Sequence, residues 1–378
     1  MSSRLQAGHL YKVFGRRPDD AMERIHKGAD REELREDGVT AAVIDASFAV
    51  APGEIFVVMG LSGSGKSTLL RMLNGLLEPT SGRVLFDGRD LTALDDRELR
   101  EVRARKISMV FQHFALFPHR SVRENAAYGL EVQGVPRAER ERRADEALAL
   151  CGLAGWESSW PDELSGGMQQ RVGLARALAT DADLLLMDES FSALDPLIRR
   201  DMQDQLLELQ KTLKKTIVFI THDLNEAMRL GDRIAVMRDG RIVQTGTAED
   251  ILLRPADDYV ASFTKDVDRS RVLTAESVMD REVRGDEADC GCETAAPATP
   301  FTELCALSAR LSHPVAVVAA GDGSHGGDGS DGGRRLVGVV PRQRLVGFLG
   351  GRSDAEGGEP VPCDRPGDTR GKKVAGHA

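Results

Sequence analysis

A glycine-rich segment from Gly60 to Thr68 constrains this chain more than any other stretch. It has the form G-x-x-x-x-G-K-S-T, follows an apolar run typical of a strand (Ile55 to Met59), and precedes a run typical of a helix (Ser67 to Leu77). Glycines let the backbone wrap around a polyphosphate with its N–H groups pointing at the oxygens, and the helix start adds further free N–H groups. The segment therefore predicts a nucleoside-triphosphate site, the alternative being an ordinary Gly/Ser turn.

Two side chains of this segment have a specific chemical role. Lys66 is long enough to reach the β- and γ-phosphates, and the Ser67 hydroxyl is a suitable ligand for Mg²⁺. The predicted nucleotide-binding residues are Gly60, Ser62, Gly63, Ser64, Gly65, Lys66, Ser67 and Thr68.

A later apolar run, Leu184 to Met187, ends in two carboxylates, Asp188 and Glu189. Phosphoryl transfer to water needs a metal and an oriented nucleophile. We expect Asp188, at the carboxyl end of a strand, to hold Mg²⁺ directly or through water. Glu189 is the best general-base candidate. An exposed strand-end acid is the alternative for either residue, but such an acid rarely follows so many large apolar residues.

Three further motifs follow the glycine-rich segment in a fixed order. They are L-S-G-G-M-Q-Q-R at 164–171 before a helical run, S-A-L-D at 192–195, and T-H-D at 221–223 after a β-rich run. Together with the phosphate segment they resemble the ATP-binding cassette (ABC) ATPases. The resemblance implies an α/β fold, a P-loop NTPase of the ABC nucleotide-binding type. Such a domain has a mixed sheet core, an antiparallel β subdomain and a helical subdomain, here at about 113–164.

The same resemblance assigns roles to residues that the sequence pattern alone leaves open. Gln112 would touch Mg²⁺ or the attacking water, although a lone glutamine there is more often a loop cap. His222 would contact the γ-phosphate. Phe14 would stack on adenine, with Tyr11 as the second choice and a plain core aromatic as the alternative. The implied cofactors are ATP and Mg²⁺.

The turn at Ser165, Gly166 and Gly167 is a second anion site, because it combines free N–H groups, a hydroxyl and a helix start. In ABC ATPases this turn completes the nucleotide site of the opposite subunit. The resemblance thus implies a head-to-tail homodimer with two ATP molecules at the interface and with Asp195 near the seam. An ordinary glycine turn is the alternative.

Composition sets limits on the function. The net charge of −10 argues against a nucleic-acid partner. The chain has no run of 18 or more apolar residues, and residues 1–10 lack the apolar core of a signal peptide. Five scattered cysteines suit a reducing compartment. These limits fit what the resemblance to ABC transporter ATPases implies, a peripheral protein on the cytoplasmic face of the inner membrane.

The pattern of turns and apolar runs predicts three stretches: residues 1–268 with all the motifs, a smaller unit at 269–349, and a disordered tail at 350–378. In the first stretch, strands alternating with helices predict a parallel-sheet core. We expect an edge strand at Gly8–Phe14 and a core strand at Ile107–Phe111 that ends at Gln112.

A finer resemblance is to the ATPase subunits of glycine betaine/proline betaine importers. It rests on three features: a charged, helical insert from about Arg16 to Asp37, which most importer ATPases lack; three matching strings at 110–119, 162–168 and 191–199; and an appended C-terminal unit. It implies ATP-driven import of a compatible solute through a membrane permease, which receives the solute from an extracytoplasmic binding protein. The apolar residues Phe114, Leu116 and Phe117 would form the groove for a permease helix, or would pack internally.

The C-terminal unit resembles one CBS module, in its opening at 273–279 and in two strands at 314–318 and 335–340. Betaine-type ATPases carry two such modules, so this one is either a sensing module or a degenerate remnant.

Alternative cargoes are choline, carnitine, a polyamine or an amino acid. Two rivals stand outside transport: a soluble ABC ATPase, and a regulatory nucleotide-binding module with little turnover.

Overall fold

The computed structural model describes residues 3–112, 114–265, 267–281, 293–311, 314–320 and 334–349. These residues divide into two compact units. The first runs to Ile251 and includes Pro255–Thr264, whereas the second comprises Leu252–Arg254 and the chain from Lys265 onward. The tail predicted from residue 350 lies outside the described residues.

The described residues of the first unit contain ten strands, numbered here in chain order. They are β1 (Leu5–Phe14), β2 (Thr40–Val50), β3 (Ile55–Met59), β4 (Ser81–Phe86), β5 (Arg89–Asp90), β6 (Ile107–Val110), β7 (Leu184–Asp188), β8 (Thr216–Thr221), β9 (Arg233–Arg238) and β10 (Arg241–Gly246). They form an antiparallel sheet of order β2-β1-β4-β5 and a mixed sheet of order β10-β9-β3-β8-β7-β6. In the mixed sheet only β10 runs antiparallel to its neighbour. The predicted parallel core is therefore confirmed for the other five strands.

Two strand predictions are wrong about position in the sheet. The strand predicted at Gly8–Phe14 is not an edge strand, because β1 pairs with β2 on one side and with β4 on the other. The strand predicted at Ile107–Phe111 ends at Val110 and lies at the edge of the mixed sheet. A hydrophobic pattern shows which face of a strand is buried, but it does not show which strands lie beside it.

Helices connect the strands. Through Thr264 they are α1 (Pro18–His26), α2 (Arg31–Glu36), α3 (Lys66–Leu73), α4 (Asp96–Arg105), α5 (Val122–Val132), α6 (Arg137–Leu150), α7 (Gly166–Ala179), α8 (Pro196–Leu213), α9 (Leu224–Leu230), α10 (Ala248–Leu253) and α11 (Asp258–Thr264), with short 3-10 helices at Leu91–Ala93 and Pro161–Glu163. From residue 114 to Ser165 the described chain contains helices and loops without a strand. In the part of the chain that the structure describes, no helix has the length and apolar character needed to cross a membrane.

The insert between β1 and β2 folds into the two helices α1 and α2, as its sequence predicts. Their apolar side chains, among them Met22, Ile25 and Leu34, form a small core against residues of β1 and β2. Asp30 caps α2, accepting from the Glu33 backbone N–H at 2.8 Å. Since the insert has its own buried core and cap, it occupies a defined place on the antiparallel sheet.

The second unit is built around a short antiparallel pair of strands. Its elements are a 3-10 helix (Arg269–Arg271), α12 (Ala275–Val278), α13 (Phe301–Arg310), β11 (Val315–Ala320), β12 (Arg334–Val340) and α14 (Arg342–Leu349). Phe301, Leu304 and Phe348 are fully or almost fully buried in its own core. The two strands predicted from the sequence in this unit are confirmed.

Candidate nucleotide-binding site

The phosphate loop connects β3 to α3, and two of its glycines allow no side chain. A Cβ at Gly60 would lie 2.2 Å from the Met237 carbonyl oxygen, and one at Gly65 would lie 2.1 Å from the Ala42 carbonyl oxygen. Both glycines have positive φ, +154° and +103°. Neighbouring backbone therefore enforces the glycines that the motif requires.

The side chain of Lys66 lies under the loop and is almost fully buried. Its ammonium donates to the Gly60 carbonyl at 2.8 Å and to the Leu61 carbonyl at 3.0 Å. Burial lowers the pKa of Lys66, while Glu189 and Asp188 raise it. The nearby Ser64 hydroxyl is buried and has no hydrogen-bond partner among the described residues. A buried cation and an unpaired buried hydroxyl at one loop suit an anionic, oxygen-rich ligand.

Asp188 and Ser67, each predicted separately as a Mg²⁺ ligand, lie together at the carboxyl edge of the sheet. The Ser67 hydroxyl donates to Asp188 Oδ1 at 2.9 Å. Burial raises the pKa of Asp188, and the bond from Ser67 and the charge of Arg71 oppose the rise. A hydroxyl and a carboxylate are both hard oxygen donors, which are the ligands that Mg²⁺ prefers.

Glu189 follows Asp188 in a left-handed conformation, with φ of +44°. Its backbone N–H donates to the Ile220 carbonyl at 3.0 Å, so β8 holds the residue in this conformation. One carboxylate oxygen lies 2.9 Å from His222 Nδ1, and the other lies 3.9 Å from Lys66 Nζ. Since a carboxylate only accepts, the Nδ1–H of His222 is the donor. The predicted base and the predicted γ-phosphate contact thus lie side by side.

Gln112 lies beyond the end of β6 and is exposed. Its amide donates to the Ser192 hydroxyl at 3.4 Å, and Ser192 donates in turn to the Glu189 carbonyl at 2.8 Å. Gln112 is therefore linked to Glu189 through Ser192, and its contact with Mg²⁺ or water stays a prediction.

The structure separates the two aromatic candidates for the adenine contact. Phe14 is 41% exposed, with the Lys12 ammonium 5.3 Å from its ring centroid. Tyr11 instead makes an edge contact with His26 at 5.6 Å between ring centroids and packs against the core of the insert. An exposed ring face is what stacking needs, so this arrangement favours Phe14.

The glycine turn at Ser165–Gly167 begins α7 and faces outward. Ser165 caps the helix by accepting from the Met168 N–H at 3.4 Å, and both Ser165 and Gly166 are exposed. Gly167 is buried, and a Cβ there would lie 2.5 Å from the Ile198 side chain. Asp195, also exposed, caps α8 by accepting from the Ile198 N–H at 3.1 Å. Ile198 therefore connects the turn to the segment that carries Asp195.

One residue that the sequence analysis does not assign connects two of the predicted motifs. Arg199 donates to the carbonyls of Leu194 at 3.1 Å and Ser192 at 3.3 Å, and to the Asp223 carboxylate at 3.3 Å. Asp223 directly follows His222, so Arg199 links the S-A-L-D segment to the T-H-D segment. Its position, one helical turn after Asp195, is a weak signal that could have pointed to it.

A buried acid on α9 hydrogen-bonds to the T-H-D segment. Glu226 is almost fully buried, accepts from the Thr221 hydroxyl at 2.5 Å and accepts from the Gln203 amide at 3.1 Å. Burial raises the pKa of Glu226, and the Thr221 bond lowers it. The residue before His222 is thus fixed by a buried hydrogen bond.

Comparison with known proteins gives consistent results. The family model described as ABC transporter matches residues 43–192. The glycine betaine/carnitine transport ATP-binding protein GbuA of Listeria monocytogenes serotype 1/2a (strain 10403S) is 58% identical over 280 residues, which are 74% of this chain and 70% of that protein. The glycine betaine/proline betaine transport system ATP-binding protein ProV of Escherichia coli (strain K12) is 54% identical over 286 residues, 75% of this chain and 72% of that protein. A solved dimeric ATP-binding cassette in a post-hydrolysis state, bound to ADP and Pi, is 32% identical with a TM-score of 0.55, covering 65% of this chain and 98% of the solved one.

Replacing Asp188 with asparagine should stabilise the nucleotide-free protein at neutral pH. Burial makes the charged carboxylate unfavourable. This penalty is complete above the raised folded-state pKa, and it is lost as the pH falls from there to the unfolded-state pKa. We expect Asp188→Asn to raise the melting temperature by about 2–4 °C at pH 7, the size of a ~1 kcal/mol effect. The difference should shrink on acidification. Thermal melts of the exposed control Asp201→Asn should show no such gain, and a lower melting temperature for Asp188→Asn would contradict the argument.

Removing Arg199 should slow ATP hydrolysis without weakening ATP binding. Arg199→Ala frees the backbone that carries Asp195 from the segment that carries His222, and we expect kcat to fall about tenfold with KM unchanged. Steady-state ATPase assays measure both. Arg229→Ala is the matched control, because it removes the Arg229–Asp204 ion pair between the same helices, α8 and α9. An equal loss of kcat in the control would show that helix packing, rather than Arg199, is responsible.

Proposed function

The chain belongs to the ATP-binding subunits of ABC transporters, and from this premise we propose that it hydrolyses ATP to power the import of glycine betaine, proline betaine or a related compatible solute through a membrane permease. The similarity to two betaine-transport ATP-binding proteins, each matched over more than two thirds of its length, carries the cargo part of the proposal. The site geometry supports the catalytic part.

The phosphate loop, Lys66 and the start of α3 would bind the triphosphate, and Phe14 would stack on the adenine. Lys66 is already oriented toward the loop by the Gly60 and Leu61 carbonyls. Ser67 and Asp188 would hold Mg²⁺, since they form a paired set of hard oxygen donors. When bound, this ion neutralises charge on the phosphate oxygens.

Hydrolysis would use Glu189 as the general base. The carboxylate is mostly shielded from water, accepts a hydrogen bond from His222 and lies near Lys66. Its left-handed backbone is anchored to β8, which limits its motion when a water must be oriented. His222 would contact the γ-phosphate from beside the base, and Gln112 would contact Mg²⁺ or the attacking water.

We propose that two copies assemble head to tail with two ATP molecules at the interface. The outward-facing turn at Ser165–Gly167 and the exposed Asp195 support this arrangement, because they present a helix N-terminus and a carboxylate on the surface. The dimeric state of the solved relative bound to ADP and Pi is a further support.

A cavity beside the helical region is the proposed seat of a permease helix. Its volume is about 490 Å³, and apolar and aromatic side chains line much of it, among them Phe111, Phe117, Tyr128 and Val132. Of the three groove residues expected from the sequence, Phe117 lines this cavity, whereas Phe114 and Leu116 do not. Phe111 and Val132 are 39% and 59% exposed, so part of the lining is free to contact an apolar helix face. Phe117 also packs internally, with its ring centroid 4.6 Å from that of Tyr128.

An extracytoplasmic binding protein would deliver the solute to the permease, and this subunit would work at the cytoplasmic face of the inner membrane.

For the second unit we propose a CBS-like regulatory role, with a degenerate remnant as the alternative. Supporting it, the β11–β12 pair is extended by isolated bridges at Ala295 and Asp280, and α13 and α14 contribute Phe301 and Phe348 to its core. The unit therefore has the mixed strand and helix content that such a module needs.

The variant Glu189→Gln should bind ATP without hydrolysing it. Because the amide keeps the shape but cannot accept a proton, we expect ATPase activity to fall at least about 100-fold, the contribution of a positioned base. ATP should then convert the purified variant from monomer to dimer in light scattering, whereas the wild type should dimerise only transiently. Residual turnover near the wild-type rate would exclude Glu189 as the base.

Cargo is tested by uptake of labelled glycine betaine in cells that express the chain with its permease. We expect uptake in the wild type, increased at high external osmolality, and loss of uptake with Glu189→Gln. The inactive variant serves as the control for background entry. If the wild type imports no glycine betaine, the cargo proposal fails while the ATPase assignment stands, and carnitine, named for one relative, is tested next.

A further inference from the structure

An arginine of the insert hydrogen-bonds to the phosphate loop. Arg31, the first residue of α2, donates through Nη2 to the carbonyl oxygen of Gly63 at 3.1 Å. Gly63 is exposed at the tip of the loop, with φ of +79°, and a Cβ added there would meet nothing within 4 Å. The tip thus has little packing of its own, and Arg31 provides a directed contact to it.

The same guanidinium also reaches the turn between β9 and β10. Arg31 Nη1 lies 3.7 Å from Asp239 Oδ1. The next residue, Gly240, donates its N–H to the Ser64 carbonyl at 3.0 Å, and its own carbonyl accepts from the Ile44 N–H at 2.8 Å. One side of the phosphate loop is therefore linked by hydrogen bonds and an ion pair to three elements: the insert, the β9–β10 turn and β2.

The contact with Arg31 also sets the direction of a peptide group in the loop. In a trans peptide the C=O and the following N–H point in opposite directions. Because the Gly63 carbonyl points out to Arg31, the Ser64 N–H points back into the loop, where it donates to the Leu61 carbonyl at 3.2 Å. This hydrogen-bonded turn, together with the contact from Arg31, fixes the backbone at the tip of the loop.

We propose that Arg31 is a positioning residue for nucleotide binding, which holds the tip of the phosphate loop in its binding conformation through Gly63 and Asp239. The inference rests on the proposed ATP-binding function. It gives the N-terminal insert a role in ATP affinity, although none of the motif residues lies in the insert.

Two simpler explanations make different predictions. In the first, Arg31 attracts ATP only by its charge. The variant Asp239→Asn distinguishes this explanation from ours. If Arg31 acts only by charge, removing the negative charge beside Arg31 and Arg238 would strengthen the binding of the ATP anion. If Arg31 acts by position, the same change loosens Arg31 and weakens binding. Asparagine tolerates the left-handed backbone of residue 239, whose φ is +48°, so the turn is preserved.

In the second explanation, any substitution in the insert disturbs the site. Arg35→Ala is the matched control, since Arg35 lies on the same short helix and lines the same cleft of about 780 Å³ next to Gly63. Among the described residues, the Arg35 side chain has no hydrogen-bond or ion-pair partner. The conservative change Arg31→Lys keeps the charge, but a lysine ammonium lacks the planar guanidinium that contacts the Gly63 carbonyl and Asp239 at the same time.

The experiment is an equilibrium titration of the purified full chain with Mg²⁺-ATP, using a fluorescent ATP analogue as the probe, together with hydrogen exchange of the peptide that spans residues 60–66. We expect Kd to rise about 5–10-fold for Arg31→Ala, the loss of one charge-assisted hydrogen bond, and less for Arg31→Lys and Asp239→Asn. Exchange at the loop amides should accelerate in the same order. Arg35→Ala should match the wild type in both measurements.

Each outcome has a distinct meaning. Unchanged affinity and exchange in Arg31→Ala would overturn the inference, and so would tighter binding in Asp239→Asn or an equal loss in Arg35→Ala. A wild-type chain that does not bind the analogue would instead overturn the proposed function itself. Should Arg31→Ala fold poorly, Asp239→Asn and Arg31→Lys still decide the question.

Discussion

The backbone conformation of the phosphate loop is the constraint on which the site depends. Gly60 and Gly65 pass so close to the Met237 and Ala42 carbonyls that no side chain fits, and their positive φ values admit little besides glycine. This conformation aims the Gly60 carbonyl at Lys66 and starts α3 with Ser67 beside Asp188. The positions of the Lys66 and Ser67 side chains therefore follow from how the main chain is packed between β2, β3 and the β9–β10 turn.

The parallel strands then gather residues that are distant in sequence. β3, β7 and β8 are neighbours, so their carboxyl ends meet at one edge of the sheet. Lys66, Glu189 and His222 come together there although they are far apart in the chain. These largely apolar strands are buried along their whole length, which leaves the region beyond the strand ends as the place where polar side chains can be exposed to a ligand.

The sequence was sufficient for features that depend on local pattern, and insufficient for those that depend on pairing. Residues with a fixed order, such as Lys66 and Asp188, could be predicted because the motif encodes both the backbone and the chemistry. The interior position of β1 could not be predicted, since its pairing with β4 is set by tertiary structure. Arg31 and Arg199 also escape prediction, because each hydrogen-bonds to backbone carbonyls of another segment, and such contacts leave at most a weak signal in the sequence.

The functional groups of the site also hydrogen-bond to one another. Ser67 is bonded to Asp188, Glu189 is bonded to His222, and Lys66 is bonded to the loop carbonyls. A metal, a phosphate or an attacking water must compete with these internal partners, and that competition reduces the net gain from binding. In the proposed head-to-tail dimer, the exposed Ser165 turn and Asp195 of a second copy would offer additional donors and charge. Turnover would then be favoured in the dimer over a single chain, because the second copy would supply interactions that shift the equilibrium toward the ligand-bound arrangement.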